Sequence, residues 1–151
     1  MKVAHILNTA DEGDVVTLTL GNFGGSCHGC IYLANAVRSC SAQVHIIVTA
    51  PCYSAGATLA LCGDSLVLRD NTFLMFHNYS SVAGGKGAEL KLSVDETNKW
   101  IHQYFKDIHS PFLTNTEIKK IENDADVYVH AGDKGTKARI KRHFKKETNK
   151  S

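Results

Sequence analysis

The sequence predicts an α/β protein with a largely parallel sheet, and three observations carry the prediction. Two β-branched runs, residues 15–20 and 44–48, lie about a crossover's length apart. Each ends in a turn of small residues and is followed by apolar positions at helical spacing, the order strand–helix–strand. Finally, 151 residues with 43% hydrophobic and 21% charged side chains suffice for one core, without an internal repeat. In open sheets of this kind, sites form outside the carboxyl ends of the strands. Two turns are so placed: Gly24-Gly25, and the junction at Ser54.

Taken in order, residues 15–20 (VVTLTL) are bounded by Gly13-Asp14 and Gly21-Asn22 and read as a strand. The turn Asn22-Phe23-Gly24-Gly25-Ser26 follows, with Ser26 placed to cap a helix that carries Ile31, Ala34 and Val37. Paired glycines after a strand serve the turn, or expose N–H groups to an anion or carbonyl. The third glycine and the downstream acid of a dinucleotide fingerprint are missing. The strand at 44–48 runs through Thr49-Ala50-Pro51-Cys52-Tyr53 to Ser54, and a short apolar helix spans 55–62 before Gly63. Ser54 has two readings: an N-cap, or a nucleophile beside unpaired helix N–H groups that would stabilise an oxyanion.

Two short β segments come next, 65–69 and 72–77, split by Asp70-Asn71, and His77 ends the second. Residues 78–87 form a Gly- and Ser-rich loop or irregular edge strand. A long helix then carries Leu90, Val94, Ile101, Tyr104, Phe105 and Ile108 on one face and stops before Pro111. Thr114-Asn115-Thr116-Glu117 reads as a capping box opening a helix to Glu122. Residues 124–129 are a loop entering a strand.

Charge is unevenly placed. Residues 134–151 hold eight of the 17 Lys and Arg against Glu147 alone, a balance of +7, which leaves −5 on the other 133 residues. A short Lys-rich end is more often solvated or disordered than a nucleic-acid surface, so no nucleic-acid partner is expected. No apolar run is long enough to cross a membrane, and Met1 to Asn8 lack the length and cleavage pattern of a secretory signal. A cytoplasmic protein is expected, its five cysteines reduced. One CxxC, Cys27-His28-Gly29-Cys30, without a second ligand pair falls short of a zinc site, and no metal or cofactor is called for.

The order of these features resembles the proteolytic subunit of Clp protease and its phage-encoded relatives. Six weak matches carry the likeness over roughly residues 14–133: strand–Gly24-Gly25–helix, strand–Tyr53-Ser54-Ala55-Gly56-Ala57–helix, Leu74-Met75-Phe76-His77-Asn78, the Gly-rich segment 83–89 with its long helix, the Thr-capped helix, and Asp126-Val127-Tyr128. The resemblance implies a crotonase-like α/β fold, a repeated βαβ spiral core with a projecting handle helix over 89–109. It places one peptidase domain at 1–133 and a basic tail at 134–151.

The resemblance also implies site residues. Ser54 matches the nucleophile, His77 the general base and Asp126 the acid that orients it, with Asp124 a near alternative and Asp133 a more distant one. The N–H groups of Gly25 and Ala55 match the oxyanion hole. Implied partners are peptide or unfolded protein as substrate, copies of the chain in a homo-oligomeric ring, and an AAA+ unfoldase. The strand and helix that family members carry ahead of position 15, which serve unfoldase docking, have no counterpart in this reading. Besides a serine endopeptidase, the sequence leaves open a phage capsid-maturation protease and a catalytically silent assembly scaffold.

Overall fold

The computed structural model describes residues 2–145. Helix α1 (Lys2–Thr9) leads into strand β1 (Val15–Asn22), helix α2 (Cys27–Arg38), strand β2 (Gln43–Tyr53) and helix α3 (Ala55–Leu59). Strands β3 (Ser65–Leu68) and β4 (Phe73–Phe76), helices α4 (Gly87–His109) and α5 (Asn115–Glu122), strand β5 (Val127–His130) and helix α6 (Thr136–Phe144) complete the chain. The sheet runs β1-β2-β4-β5, with β3 also on β2. β1, β3 and β4 pair parallel to β2, and β5 pairs antiparallel to β4. The mixed α/β fold is the one the sequence predicts.

β2 is the spine, and it changes neighbour along its length. Its first half faces β3, from His45↔Ser65 to Val48↔Leu68; its end meets β4 at Cys52↔Leu74 and Tyr53↔Met75. Between these halves the register with β1 slips, from Leu20↔Val48 to Asn22↔Cys52. The slack on β2 falls at residues 49–51, where Pro51 has no N–H to offer a ladder. Gly21 lies opposite, and a Cβ there would stand 2.7 Å from that of Ala50. The bulge thus extends the predicted strand to the residue before Ser54. Along β2, Val44, Ile46, Val48 and Cys52 point into the core, where α2, α3 and the segment around Phe112 cover them.

Several expectations are corrected. A helix does precede position 15: Ala4 and Leu7 of α1 are buried, and a single turn of apolar spacing was too little to reveal it. The helix expected over 55–62 ends at Leu59, and residues 60–64 are turn and bend. His77 lies one residue beyond β4. On α4 only Ile101 and Ile108 of the apolar stripe are buried; Leu90, Val94, Tyr104 and Phe105 are half-buried.

The basic end is not a solvated run over the residues described. α6 packs on the body: Thr136 is buried, Ile140 and Phe144 lie against the core, and Arg139 holds Glu117 through two 2.8 Å bonds. Residues 146–151 of that tail lie outside the described residues.

Candidate active site

Ser54 links β2 to α3 with φ 53° and ψ −118°, a backbone state that a side chain with a Cβ adopts at a cost of about 1–3 kcal/mol. Two bonds hold it there. Its N–H donates to the Met75 carbonyl at 2.7 Å, and its own carbonyl accepts from the Thr58 N–H at 3.0 Å. The N-cap reading is corrected. Capping needs an extended backbone, as Ser26 (φ −66°, ψ 143°) and Thr114 (φ −76°, ψ 158°) have, and both of these cap their helices. Ser54 has the opposite sign of φ and makes no capping bond. A sharp strand-to-helix turn of this kind is the backbone setting of a nucleophile elbow.

Glycine makes this turn possible. Gly24 has φ 96°, and a Cβ on it would meet the Ser54 Cβ and the Tyr53 carbonyl oxygen, each at 3.0 Å. Its N–H donates to Asn22 Oδ1 at 2.9 Å. Gly25 faces open space instead, and it and Ala55 border one cavity of about 240 Å³. Among the described residues the N–H groups of Gly25 and Ala55 have no acceptor, as expected of a helix's first residue and of a loop glycine. Leu33, Leu59, Gly56 and Cys30 supply much of the remaining wall.

Cys30 Sγ donates to the Ala55 carbonyl at 3.5 Å, and burial, reinforced by Cys27, pushes its pKa up to about 12. Burial raises Cys27 as well. A low-pKa thiolate, which redox or metal chemistry needs, is therefore not what this CxxC provides. Among the described residues no group of three or more His, Cys, Asp or Glu could hold a metal ion.

The register of the antiparallel pair locates His77 and Asp126. Phe76 and Val127 form its last rung, and His77 and Asp126 are the next residue on each segment beyond it. Ser54 sits at the end of the adjoining strand, after the Tyr53↔Met75 pair. The three thus lie at one edge of the sheet, although among the described residues no hydrogen bond joins their side chains. Asp124 is engaged elsewhere, accepting from Asn78 Nδ2 at 2.9 Å, and Asp133 accepts from the His130 N–H at 3.2 Å.

Two further histidines lie close to this region. His109 is buried beneath α3, its Nε2 3.0 Å from Thr58 Oγ1, between the rings of Phe76 and Phe105. His102 reaches Asn78 Oδ1 at 3.3 Å. The two stand seven residues apart on α4, a helical repeat that marks a shared face.

A family model described as Clp protease matches residues 1–134. The chain belongs to the Clp protease family. No curated protein matches it. As a Clp protease family member it is a peptidase by lineage, and the family's substrates are proteins and its assemblies oligomeric rings. No helix among the described residues of this Clp protease relative is long and apolar enough to cross a membrane.

Proposed function

We propose that the chain is a serine peptidase that cleaves peptides or unfolded protein through Ser54, His77 and Asp126. The observation that carries the reading is the backbone of Ser54, held at φ 53° between strand and helix at the end of β2, whose last pair, Tyr53↔Met75, lies two residues before His77. His77 takes the proton from Ser54 Oγ as that oxygen attacks the substrate carbonyl. The carbonyl oxygen, now anionic, receives hydrogen bonds from the N–H groups of Gly25 and Ala55. His77 returns the proton to the leaving amine, and a water that it activates then hydrolyses the acyl ester. Asp126 holds the imidazole in the tautomer that accepts at the serine. The cavity beside Ala55, bordered by Leu33 and Leu59, takes an apolar substrate side chain.

Hydrolysis of a short fluorogenic peptide and labelling of Ser54 by a fluorophosphonate test this reading. Ser54→Ala and His77→Ala should each lower activity by roughly 10³-fold or more, and the double variant should be hardly worse. Asp126→Asn should keep the fold and lose most of the rate. A second reading, a silent assembly scaffold, draws on the absence of a hydrogen bond among the three side chains. An assembled wild-type chain that neither labels nor hydrolyses would establish it.

A further inference from the structure

Past Phe76 and Val127 the β4–β5 ladder stops, and His77 and Asp126 occupy the first rung that backbone pairing no longer holds. Side chains bridge the gap. Asn78 Nδ2 donates to Asp124 Oδ1 at 2.9 Å, while Asn78 Oδ1 accepts from the Tyr79 N–H at 3.0 Å and from His102 Nε2 at 3.3 Å. Two of the amide's three partners are themselves fixed by further bonds. Asp124 has φ 61° in the closing turn of α5, where its N–H donates to Ile121 O and the Ala125 N–H to Lys120 O, each at 3.0 Å. On the other side the Tyr79 hydroxyl donates to Asn98 of α4, one turn before His102.

We propose that Asn78 and Asp124 form a clasp that positions His77 against Asp126, and that His102 ties this clasp to α4. The proposal rests on the serine-peptidase reading above. Neither clasp residue touches the reacting atoms; Asn78 adjoins His77, and Asp124 lies two positions before Asp126. The clasp also separates the two aspartates by chemistry. At Asp124 an oxygen that accepts from an amide is all that the geometry uses, so an asparagine could serve. At Asp126 a negative charge is needed, because its partner becomes an imidazolium.

The test uses the full chain, a short fluorogenic peptide, and the rate at which a fluorophosphonate labels Ser54. Displacement of a catalytic group by about an ångström costs on the order of 10²-fold, so Asn78→Ala and Asp124→Gly should each lower kcat about 10- to 100-fold with little change in KM. Asp124→Asn should recover most of what Asp124→Gly loses. In an Asp126→Asn background, Asn78→Ala should cost no more than about threefold, because the geometry it protects has lost its partner. A merely structural role would weaken both backgrounds alike, and that result overturns the clasp. So does wild-type labelling in Asn78→Ala, or, should that variant fail to fold, in Asp124→Gly, where glycine takes φ 61° readily. Equal damage from Asp124→Asn and Asp124→Gly overturns it too, since the charge would then matter. A wild-type chain that leaves Ser54 unlabelled overturns the serine-peptidase reading itself, and the clasp with it.

Discussion

At the scale of single residues, Gly24 constrains the site more tightly than its neighbour. A methyl group there would press on the Ser54 Cβ and the Tyr53 carbonyl and would force an alanine to φ 96°. Gly24→Ala should therefore lower the urea-unfolding stability by about 1–3 kcal/mol and reduce peptide hydrolysis at least tenfold. Gly25→Ala meets open space, and its unfolding midpoint should match wild type. The sequence makes the glycine pair visible but not this asymmetry, because two adjacent glycines look alike until φ and the approach of Ser54 tell them apart. Ser54 was legible for the same limited reason. A strand followed by Ala55-Gly56-Ala57 marks a junction, whereas the sign of its φ depends on Met75 and Gly24, both distant in sequence.

At the scale of elements, two pairs of helices are each joined through a titratable side chain. α3 is one and a half turns long and leans on α4 through Thr58 and His109. Burial, with a smaller contribution from His143, pushes His109 from 6.5 down to about 3. The unfolded chain binds that proton first. Stability from this group is thus complete above pH 6.5 and is lost as pH falls toward 3, at up to about 1.4 kcal/mol per pH unit. Urea midpoints at pH 7, 6 and 5 should fall in step, and His109→Gln should flatten the trend.

The second pair joins α5 to α6. Hydrogen bonds from Arg139, against a smaller desolvation effect, hold the Glu117 carboxyl down at about 2. Its stabilisation is present above pH 4.5 and is lost as pH falls through 2. Arg139→Ala should remove that lower window and cost about 1–3 kcal/mol at pH 7. The capping box of α5 was plain in sequence because its signal is local: Thr114 Oγ1 accepts from the Glu117 N–H at 3.2 Å. α6 was hidden by its composition. Thr136, Ile140, His143 and Phe144 obey the spacing of a packed face, but lysines and arginines between them read as a solvated tail.

At the scale of the whole molecule, the first half of α4 is largely open to solvent, with Leu92 65% exposed, and Trp100 just past its midpoint is 46% exposed. If this half meets a second copy, as the family's ring assembly suggests, Leu92→Glu or Val94→Lys should lower the mass seen by light scattering while leaving circular dichroism intact. Ile101 is no such probe: at 2% exposed it belongs to the chain's own core, and a charge there would unfold it. The sequence stripe could not separate these positions, since apolar spacing is the same for a helix that packs inward and one that packs on a neighbour. The order of the five strands and of the helices between them was legible because strand and helix periods are local, whereas α1 and α6 were not, and the switch of β2 from β3 to β4 is a matter of three-dimensional pairing. That switch divides the proposed machinery. Ser54 ends β2, whereas His77 and Asp126 adjoin β4 and β5, and two rungs together with the Ser54 N–H bond to the Met75 carbonyl join β2 to β4. On the serine-peptidase reading, loss of the Cys52↔Leu74 and Tyr53↔Met75 pairing would part the proposed nucleophile from its base while leaving base and acid on one strand pair.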